Sequence, residues 1–590
     1  MLQYDVKWIL LIAAILCAVH ASGCTNIGST KFSDSDAASY APSELFASRS
    51  AVSGLTTAAD PVEFEGGAEP DRKISAGPLS LRESIEIAIG HSTFFRDRHQ
   101  FLSDGNSILH HPLQTPSAFD QAISRSSDQS VESAMAAYSP TLTIGGLWGQ
   151  NSIVQANSSI ASSDVLLSDN ASAYGRLYKP LRSGGVVSLV QNLNYTSGNV
   201  ANQFLNPDFA GFVRGELRQP LGAGRGREFT DIAGPLTYRN RAIGFGVSVA
   251  ELKEELPALD FEENVANLAR QTEELYWELW LAERTLQYQE SAMQSAKELW
   301  QRIQNRATTG LPGGSVVDLT RAEENYYEHL KMLETAFQRR NNAELQLKRL
   351  LGFSSVDDRQ IIAQEEPAQA RIVFDLPGSL AIAKERRVEL RRHKLQVRVL
   401  EMQLVAANSL KKPQLDLLAG VQLNGLGNGI VNSPSSFSPS SLGADDVGWN
   451  VGLELFLPVG LRKERQFARS LELQLSKLRA AWEEQTNEIG HEIHHAITEV
   501  ERWYAILAIS QQRLASAVRG SKAIEAEYDA GRISLDQLLN AQLSLLAAKV
   551  DVDRSLTEYN KAIAGVLYRR GSIFESCLLF ADQLSANEAG

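Results

Sequence analysis

The chain has 590 residues, of which 43% are hydrophobic and 22% are charged, proportions that are ordinary for folded protein. Its formal net charge of −13 argues against a nucleic-acid partner, which would require a basic face. The three cysteines, Cys17, Cys24 and Cys577, are too few for a disulfide framework or a thiolate metal cluster, since Cys17 lies inside an export signal.

Residues 1–24 have the organisation of that signal. Lys7 gives a thin positive region, residues 8–19 form an apolar run, and Ala21-Ser22-Gly23 precede Cys24. The run is shorter than the ~20 residues that span a bilayer as a helix, so we expect cleavage rather than anchoring. The ending resembles a bacterial lipobox, which implies lipidation of Cys24. Because Ala21 stands where that motif usually has a larger aliphatic residue, ordinary cleavage without acylation is the alternative.

Residues 25–76 are rich in Ser, Ala, Asp and Gly without a period, which is typical of a flexible or surface-hugging linker. A helix is predicted from about residue 79, because Ser80 and Glu83 have the spacing of a capping box before an apolar stripe. A second helical segment is expected at 120–138. The polar stretch 91–119 between them is interpreted as an insertion.

Strand patterns follow. Residues 139–148 alternate with a period of two, and a long polar loop is expected after them. Further alternating runs are predicted at about 186–195 and 212–217. Helical periodicity then returns over 251–306, and after a turn at 310–314 the chain comes back as a helix over 317–351.

The same plan then repeats. A helix is predicted at 380–410, strands from 412 and at 449–457, a very long helix from 461, a break at 530–534 and a return helix to about 568. We therefore divide the chain into repeats 77–352 and 353–571, with a tail at 572–590. At ~1.5 Å per residue the first helix of the second repeat could span roughly 100 Å if unbroken.

Alternating strands suit either a half-buried sheet or the lipid-facing wall of a barrel. An exported chain without a spanning helix can cross a membrane only as a closed barrel. We expect about four strands per chain, which are too few to close one. Two chains would give eight strands, and three would give twelve and room for a channel.

The region 79–571 resembles the TolC-like outer-membrane efflux protein family, also called outer membrane factors. The resemblance rests on the duplicated plan and on short motifs in a fixed order. These are Pro140 and Pro413 at the starts of strands, Pro220 and Pro458 at their ends, Leu350-Leu351-Gly352, Ala530-Gly531-Arg532-Ile533-Ser534-Leu535, and Leu538-Leu539-Asn540-Ala541-Gln542.

The resemblance implies a mainly α protein with a β-barrel. Each chain of a homotrimer would contribute four strands to a twelve-stranded barrel in the bacterial outer membrane, and long antiparallel coiled-coil helices to an α-helical tunnel in the periplasm. The implied function is that of a passive exit duct for efflux or type I secretion, not of an enzyme. Energy would come from an inner-membrane pump that is coupled through a periplasmic adaptor, or membrane fusion protein.

The resemblance also assigns site residues. The helix reversals at Gly310, Leu311, Gly531 and Arg532 would be the tips that meet the adaptor, although the first turn is two residues longer than the second.

The candidate pore constriction consists of Asp318, Asp536, Gln537 and Asn540. Carboxylates there would disfavour anions, whereas the neutral amides would act through hydrogen bonds and sterics. The alternative is that Asp318 and Asp536 are solvated residues at helix starts, stabilised by the helix dipole.

One motif is typical of an enzyme. His491-Glu492-Ile493-His494-His495 matches H-E-x-x-H, in which two histidines one turn apart bind zinc and the glutamate activates water. Ile493 falls on the packing stripe of the long helix, and no histidine follows to complete a site, although Glu499 is not excluded as a ligand. Surface histidines are the preferred interpretation. We expect no metal or cofactor, since Gly222-Ala223-Gly224-Arg225-Gly226 also lacks the prompt helix and acidic partner of a dinucleotide site.

Three hypotheses therefore compete: the trimeric duct, a non-conducting lipid-anchored structural coiled coil of the envelope, and an exported zinc hydrolase. Strand pairs at matching points of both repeats favour the duct, because a plain coiled coil would not need them.

Overall fold

The computed structural model describes residues 78–154, 165–199, 205–241, 243–309, 315–354, 360–427 and 447–573. The signal, Cys24 and the whole linker lie outside these ranges, as do the first reversal with Gly310 and Leu311, and most of the tail. The helices are α1 (Leu81–His91), α2 (Ser107–His110), α3 (Asp120–Arg125), α4 (Val131–Ala136), α5 (Arg227–Ala233), α6 (Val247–Glu254), α7 (Leu256–Thr309), α8 (Val316–Leu350), α9 (Leu376–Arg386), α10 (Val388–Leu410), α11 (Arg462–Asp529) and α12 (Leu535–Arg569). The strands are β1 (Pro78–Leu79), β2 (Thr141–Val154), β3 (Val165–Pro180), β4 (Val186–Gly198), β5 (Asp208–Pro220), β6 (Ile362–Ala363), β7 (Gln414–Gly427) and β8 (Val447–Phe456).

The predicted capping box at the start of α1 is confirmed. The backbone N–H of Glu83 donates to Ser80 Oγ at 3.1 Å, and the N–H of Ser80 donates to Glu83 Oε2, also at 3.1 Å. Two of the amides that a helix start leaves without partners are thereby satisfied.

The very long helix is also confirmed. α11 runs unbroken for 68 residues, which at ~1.5 Å per residue is roughly 100 Å. Its stripe of Ile489, Ile493, Ala496 and Val500 packs in one buried cluster with residues of α12 such as Ile563. The paired long helices α7–α8 and α11–α12 thus obtain their stability from apolar burial along one face.

The two repeats share a core. Trp277 of α7 is fully buried in a cluster with Leu81 of α1, and also with Leu507 and Leu556 of the second repeat. Because the cluster contains residues from both repeats, we treat the repeats as one folding unit.

The strands β2 to β5, β7 and β8 form one sheet in the order β2-β3-β4-β5-β7-β8, with every neighbouring pair antiparallel. Two expectations are therefore wrong. The long polar loop after the first strand contains β3, and the sheet has six strands rather than four. β3 escaped prediction because its alternation uses small and weakly polar residues, among them Ser172, Ala173 and Gly175.

Two predicted helices are interrupted. The segment predicted at 120–138 forms the two short helices α3 and α4. The helix predicted at 380–410 breaks at Arg387, whose backbone is extended (φ −60°, ψ 128°). Its guanidinium donates to Glu389, two residues further on, and to Glu492 of α11, so a tertiary ion pair helps to hold a break that the local sequence does not specify.

The stretch interpreted as an insertion packs on α7. Arg98 lies 3.1 Å from a carboxylate oxygen of Glu274 and 3.1 Å from one of Glu278. Phe95 meets Phe261 edge to face, with ring centroids 5.4 Å apart. The segment is therefore part of the folded body beside the long helices.

Candidate functional site

One face of the six-stranded sheet is apolar. Alternate side chains of a strand point to opposite faces, and directly paired residues share a face. The register pairs Leu142 with Leu177, Leu177 with Leu189 and Leu189 with Gly215. The apolar residues of this face, taken from β2 to β8, are Leu142, Ile144, Trp148, Ala171, Ala173, Leu177, Val187, Leu189, Leu193, Tyr195, Phe209, Val213, Leu217, Leu415, Leu417, Ala419, Val421, Leu423, Val447, Trp449, Val451, Leu453 and Leu455. We call it the apolar face.

The apolar face is exposed in the single chain. In β8, Trp449, Val451, Leu453 and Leu455 are between 64% and 77% exposed. Water-exposed apolar surface of this extent is uncommon in a soluble monomer and marks contact with a partner or a lipid.

The apolar face ends at a row of aromatic rings. Trp148 stacks on Tyr195 with centroids 5.9 Å apart, and Tyr195 contacts Phe209 at 5.0 Å. Beyond this row the same face carries Gln150 and Asp169. Aromatic residues that border an apolar band are typical of the membrane–water interface in outer-membrane barrels.

The length of the apolar band fits this comparison. Along β4 it runs from Val187 to Tyr195, interrupted by Gln191, and at about 3.3 Å per residue this is roughly 26 Å along the strand. The apolar band of outer-membrane barrels is about 25 Å tall, with tilted strands.

The opposite face, which we call the polar face, carries hydroxyl, amide and charged side chains. Near the end of the sheet that joins the helices, Arg218 Nε lies 2.8 Å from Asp416 Oδ2, and the same guanidinium contacts Glu454. Further along, Arg214 Nε donates to Gln422 Oε1 at 2.7 Å. A sheet with one apolar and one solvated, charged face can separate lipid from a water-filled interior.

The reversal between α11 and α12 lies at the far end of the second helical pair. Gly531 has φ +70°, a left-handed conformation that favours glycine and ends the helix. Arg532 pairs with Glu527, and both side chains are largely exposed. These residues, predicted as a docking tip, therefore form a compact turn with its polar groups at the surface.

A groove of about 570 Å³ runs between α11 and α12 beside this turn. Small residues such as Ala517, Gly520, Ala541 and Ser544 line it together with Gln537 and Asn540. The two amides predicted at a constriction are thus wall residues of a groove between helices.

The two predicted carboxylates occupy different positions. Asp318 lies in the first turn of α8, which Ser315 caps: the N–H of Asp318 donates to Ser315 Oγ at 3.0 Å, and its carboxylate accepts from the same hydroxyl. Asp536, in the first turn of α12, lies 3.0 Å from Arg321 Nε of α8. Sequence reasoning missed Arg321 as a partner, because nothing in the spacing shows that α8 and α12 are neighbours at this level.

The residues of the H-E-x-x-H motif have different environments on α11. His491 and His495 are exposed on α11, Ile493 is fully buried, and Glu492 Oε2 accepts from Arg387 at 2.6 Å. Over the part of the chain that the structure describes, no group of three or more His, Cys, Asp or Glu side chains is placed to hold a metal ion. In the same part of the chain, none of the helices has the length and apolarity that a bilayer crossing requires.

Solved structures share this architecture. A membrane protein from Pseudomonas aeruginosa matches with a TM-score of 0.54 and 16% identity, over 83% of this chain and 90% of that chain. The outer membrane protein VceC from Vibrio cholerae matches with a TM-score of 0.51 and 14% identity, over 83% and 96%. The CmeC outer membrane channel from Campylobacter jejuni matches with 0.51 and 14%, over 84% and 86%. The fold is therefore that of outer-membrane channel proteins.

A family model matches part of the second repeat. Residues 380–564 match the model of the outer membrane efflux protein family. This match, together with the shared fold, confirms the resemblance to the TolC-like outer-membrane efflux proteins. A comparison with curated protein sequences gives no match.

Proposed function

We propose that the protein is a passive exit duct of the bacterial outer membrane, assembled as a homotrimer and continued into the periplasm by its long helices. The observation that carries the proposal is the two-faced sheet. Its apolar face suits lipid, its polar face suits a water-filled bore, and its strands continue at one end into the paired helices.

This arrangement favours the duct over a structural coiled coil. A coiled coil is stabilised by the apolar stripe of its helices. In such a protein the four alternating apolar residues of β8, which are 64–77% exposed, would remain unfavourably in contact with water. In a duct the same residues contact lipid acyl chains, so they are not exposed to water.

We further propose that the reversals dock a periplasmic adaptor, through which an inner-membrane pump supplies the energy. The groove beside Gly531 supports this, because its small-residue floor lets a partner helix approach closely. A photo-crosslinking residue at Asn540 should couple to a second protein in intact cells, whereas the same residue at Ser476, on an exposed face of α11 far from the groove, should not. Coupling only between copies of this chain would argue against docking at the groove.

The constriction is also a proposal. Asp536 and Arg321 tie the start of α12 to α8 with an exposed ion pair, and Asp318 lies one turn from Arg321 on α8. A ring of such groups around a threefold axis would narrow the bore and affect its ion selectivity.

Single-channel conductance in a planar bilayer tests both proposals. We expect discrete small events for the wild type, and larger, less cation-selective events for Asp318→Ala/Asp536→Ala. The control is Asp551→Ala, which breaks an ion pair with Arg513 between α11 and α12 some 15 residues, or roughly 22 Å, further along α12.

If the folded wild type and the folded double variant both show no conductance, the same measurement is made on a chain that lacks both reversals. If that chain is folded and also silent, the duct proposal fails and the structural coiled coil replaces it. If the double variant and the control change conductance equally, the duct stands and the constriction lies elsewhere.

A further inference from the structure

The two repeats contribute unequally to the sheet. The second repeat supplies the two strands β7 and β8, whereas the first supplies four, because β3 and β4 lie between β2 and β5. The extra pair is fully integrated: β3 pairs with β2 along 14 residues and with β4 along 13.

The turn that joins β3 to β4 is anchored at the helical end of the sheet. Leu181 N–H donates to Gly185 O at 2.8 Å, which closes the turn. Gly226 N–H donates to Ser183 O at 3.0 Å, and Thr230 Oγ1 donates to Arg182 O at 2.6 Å. The chain therefore reverses beside α5 without entering the long helices. As a result, four connections join the six-stranded sheet to the helices.

Both outer strands of the sheet have an unpaired side. Within the described residues, β2 pairs only with β3, and β8 only with β7. Their outer backbone groups need partners inside a lipid bilayer, because no water is present there to accept or donate their hydrogen bonds. A second strand edge is the partner that satisfies a whole row of such groups.

The two edges are complementary. β2 leads away from the helices and β8 leads back to them, so β8 of one copy can pair antiparallel with β2 of the next. Trp449, Val451 and Leu453 of β8 would then continue the apolar face that Leu142 and Ile144 carry in β2. Because side chains alternate, this continuity requires polar-face residues to oppose polar-face residues.

We infer that three copies close a barrel of eighteen strands, with a seam between β8 and β2 of neighbouring copies. The inference rests on the proposed trimeric duct and replaces the twelve strands expected from the sequence. Barrel diameter grows roughly linearly with strand number, so the barrel is about half as wide again as a twelve-stranded one. Barrels of 16–18 strands enclose an aqueous channel, which leaves the narrowest part of the duct to the helices.

Disulfide trapping tests the seam. In a Cys24→Ser/Cys577→Ser background, Thr143→Cys on the polar face of β2 is combined with a cysteine at Gly448, Asn450, Gly452, Glu454 or Phe456, the polar-face positions of β8. We expect at least one of these five pairs to form an intermolecular disulfide after oxidation in membranes, with a ladder that ends at the trimer. The matched control combines Leu142→Cys, on the apolar face, with the same β8 position and should give no ladder.

Three results would overturn the inference. A ladder that ends at the dimer would mean a twelve-stranded barrel from two copies. The absence of every polar-face disulfide from folded, membrane-inserted protein would mean that the seam does not form. An electron cryomicroscopy reconstruction in a lipid nanodisc with twelve strands around the axis would refute the count directly.

The trapping experiment is independent of conduction. Suppose that cross-linked species extend up to the trimer but the protein shows no conductance in bilayers, even without its reversals. That result would overturn the duct and leave the eighteen-stranded barrel. A conducting protein whose ladder ends at the dimer would leave the conducting duct and overturn both the trimer and the eighteen-stranded barrel.

Discussion

Arg241 of the first repeat and Glu464 of the second form a buried ion pair, with Arg241 Nε 2.6 Å from Glu464 Oε1. The two side chains are only 7% and 5% exposed. The same guanidinium donates to the main-chain oxygen of Leu410. Leu410 ends α10 just before β7, and Glu464 lies in the first turn of α11 just after β8. Arg241 thus contacts both junctions between the sheet and the helices of the second repeat and stabilises them.

Replacing this arginine should destabilise the protein strongly. Arg241→Met leaves Glu464 buried without its partner, and the loss of one member of a buried pair typically costs about 3–5 kcal/mol. Unfolding of the detergent-solubilised protein by denaturant, followed by circular dichroism, measures the change. The control is Arg479→Met, because Arg479 pairs with Glu401 at 2.8 Å but the two side chains are 61% and 36% exposed. That variant should lose no more than about 1 kcal/mol, and equal losses would contradict the structural role of Arg241.

The long helices were predictable because their signal is local and repeated. α11 carries its apolar stripe through 68 residues, and no single residue decides the pattern. The capping box at Ser80 and Glu83 was predictable for a similar reason, since both of its hydrogen bonds lie within four residues of sequence.

The missed features depend on neighbours that are distant in sequence. Residues 168–173 of β3 contain no large apolar side chain, and the strand is held by hydrogen bonds to β2 and β4 on its two sides. The break at Arg387 contains neither proline nor glycine, and the distant partner of its guanidinium is Glu492 of α11. At the candidate constriction, the partner of Asp536 lies on a helix of the other repeat, so the sequence located the carboxylate and not the ion pair.

A glycine at the helical end of the sheet should not tolerate a side chain. Gly224 has φ +79°, and a Cβ added there would lie 2.2 Å from the Cβ of Tyr238, which is fully buried. Gly224→Ala should therefore cost the backbone strain of about 1–2 kcal/mol and the displacement of Tyr238 in addition. Gly460→Ala is the matched control, because Gly460 has φ +88° and an added Cβ would meet only Arg462 Cγ at 3.8 Å. Thermal unfolding of both variants measures the difference, and a smaller loss at Gly224 would argue against this packing.

A buried carboxyl between α7, α8 and β6 should make stability depend on pH. Burial raises the pKa of Glu283 from its ordinary value of 4.5 to about 7, although the Ala363 N–H and Arg340 favour the charged form and Glu344 opposes it. Because the folded state holds this proton more tightly than the unfolded state, the stabilisation is complete below about pH 4.5 and is lost as the pH rises to about 7.

Glu283→Gln should remove this contribution, since the amide does not titrate. We expect the melting temperature of the variant to rise relative to the wild type between pH 5 and pH 8. Glu290→Gln, at an exposed position of the same helix, serves as the control and should follow the wild type at both pH values. A constant difference between Glu283→Gln and the wild type would exclude Glu283 as the titrating group.

Arginine substitutions at two neighbouring residues of β4 should have different effects on insertion into lipid. Leu189 lies on the apolar face and Ser188 on the polar face, where its register partners are Tyr178 and Glu216. An arginine on the lipid side of an outer-membrane barrel costs about 2–4 kcal/mol near the bilayer midplane, whereas an arginine in a water-filled interior remains hydrated. Leu189→Arg should therefore reduce the fraction of protein that inserts into lipid vesicles as a heat-modifiable folded form, and Ser188→Arg should insert like the wild type. If Ser188→Arg is instead the defective variant, the two faces of the sheet have been assigned the wrong way round, and the lipid and the bore exchange sides.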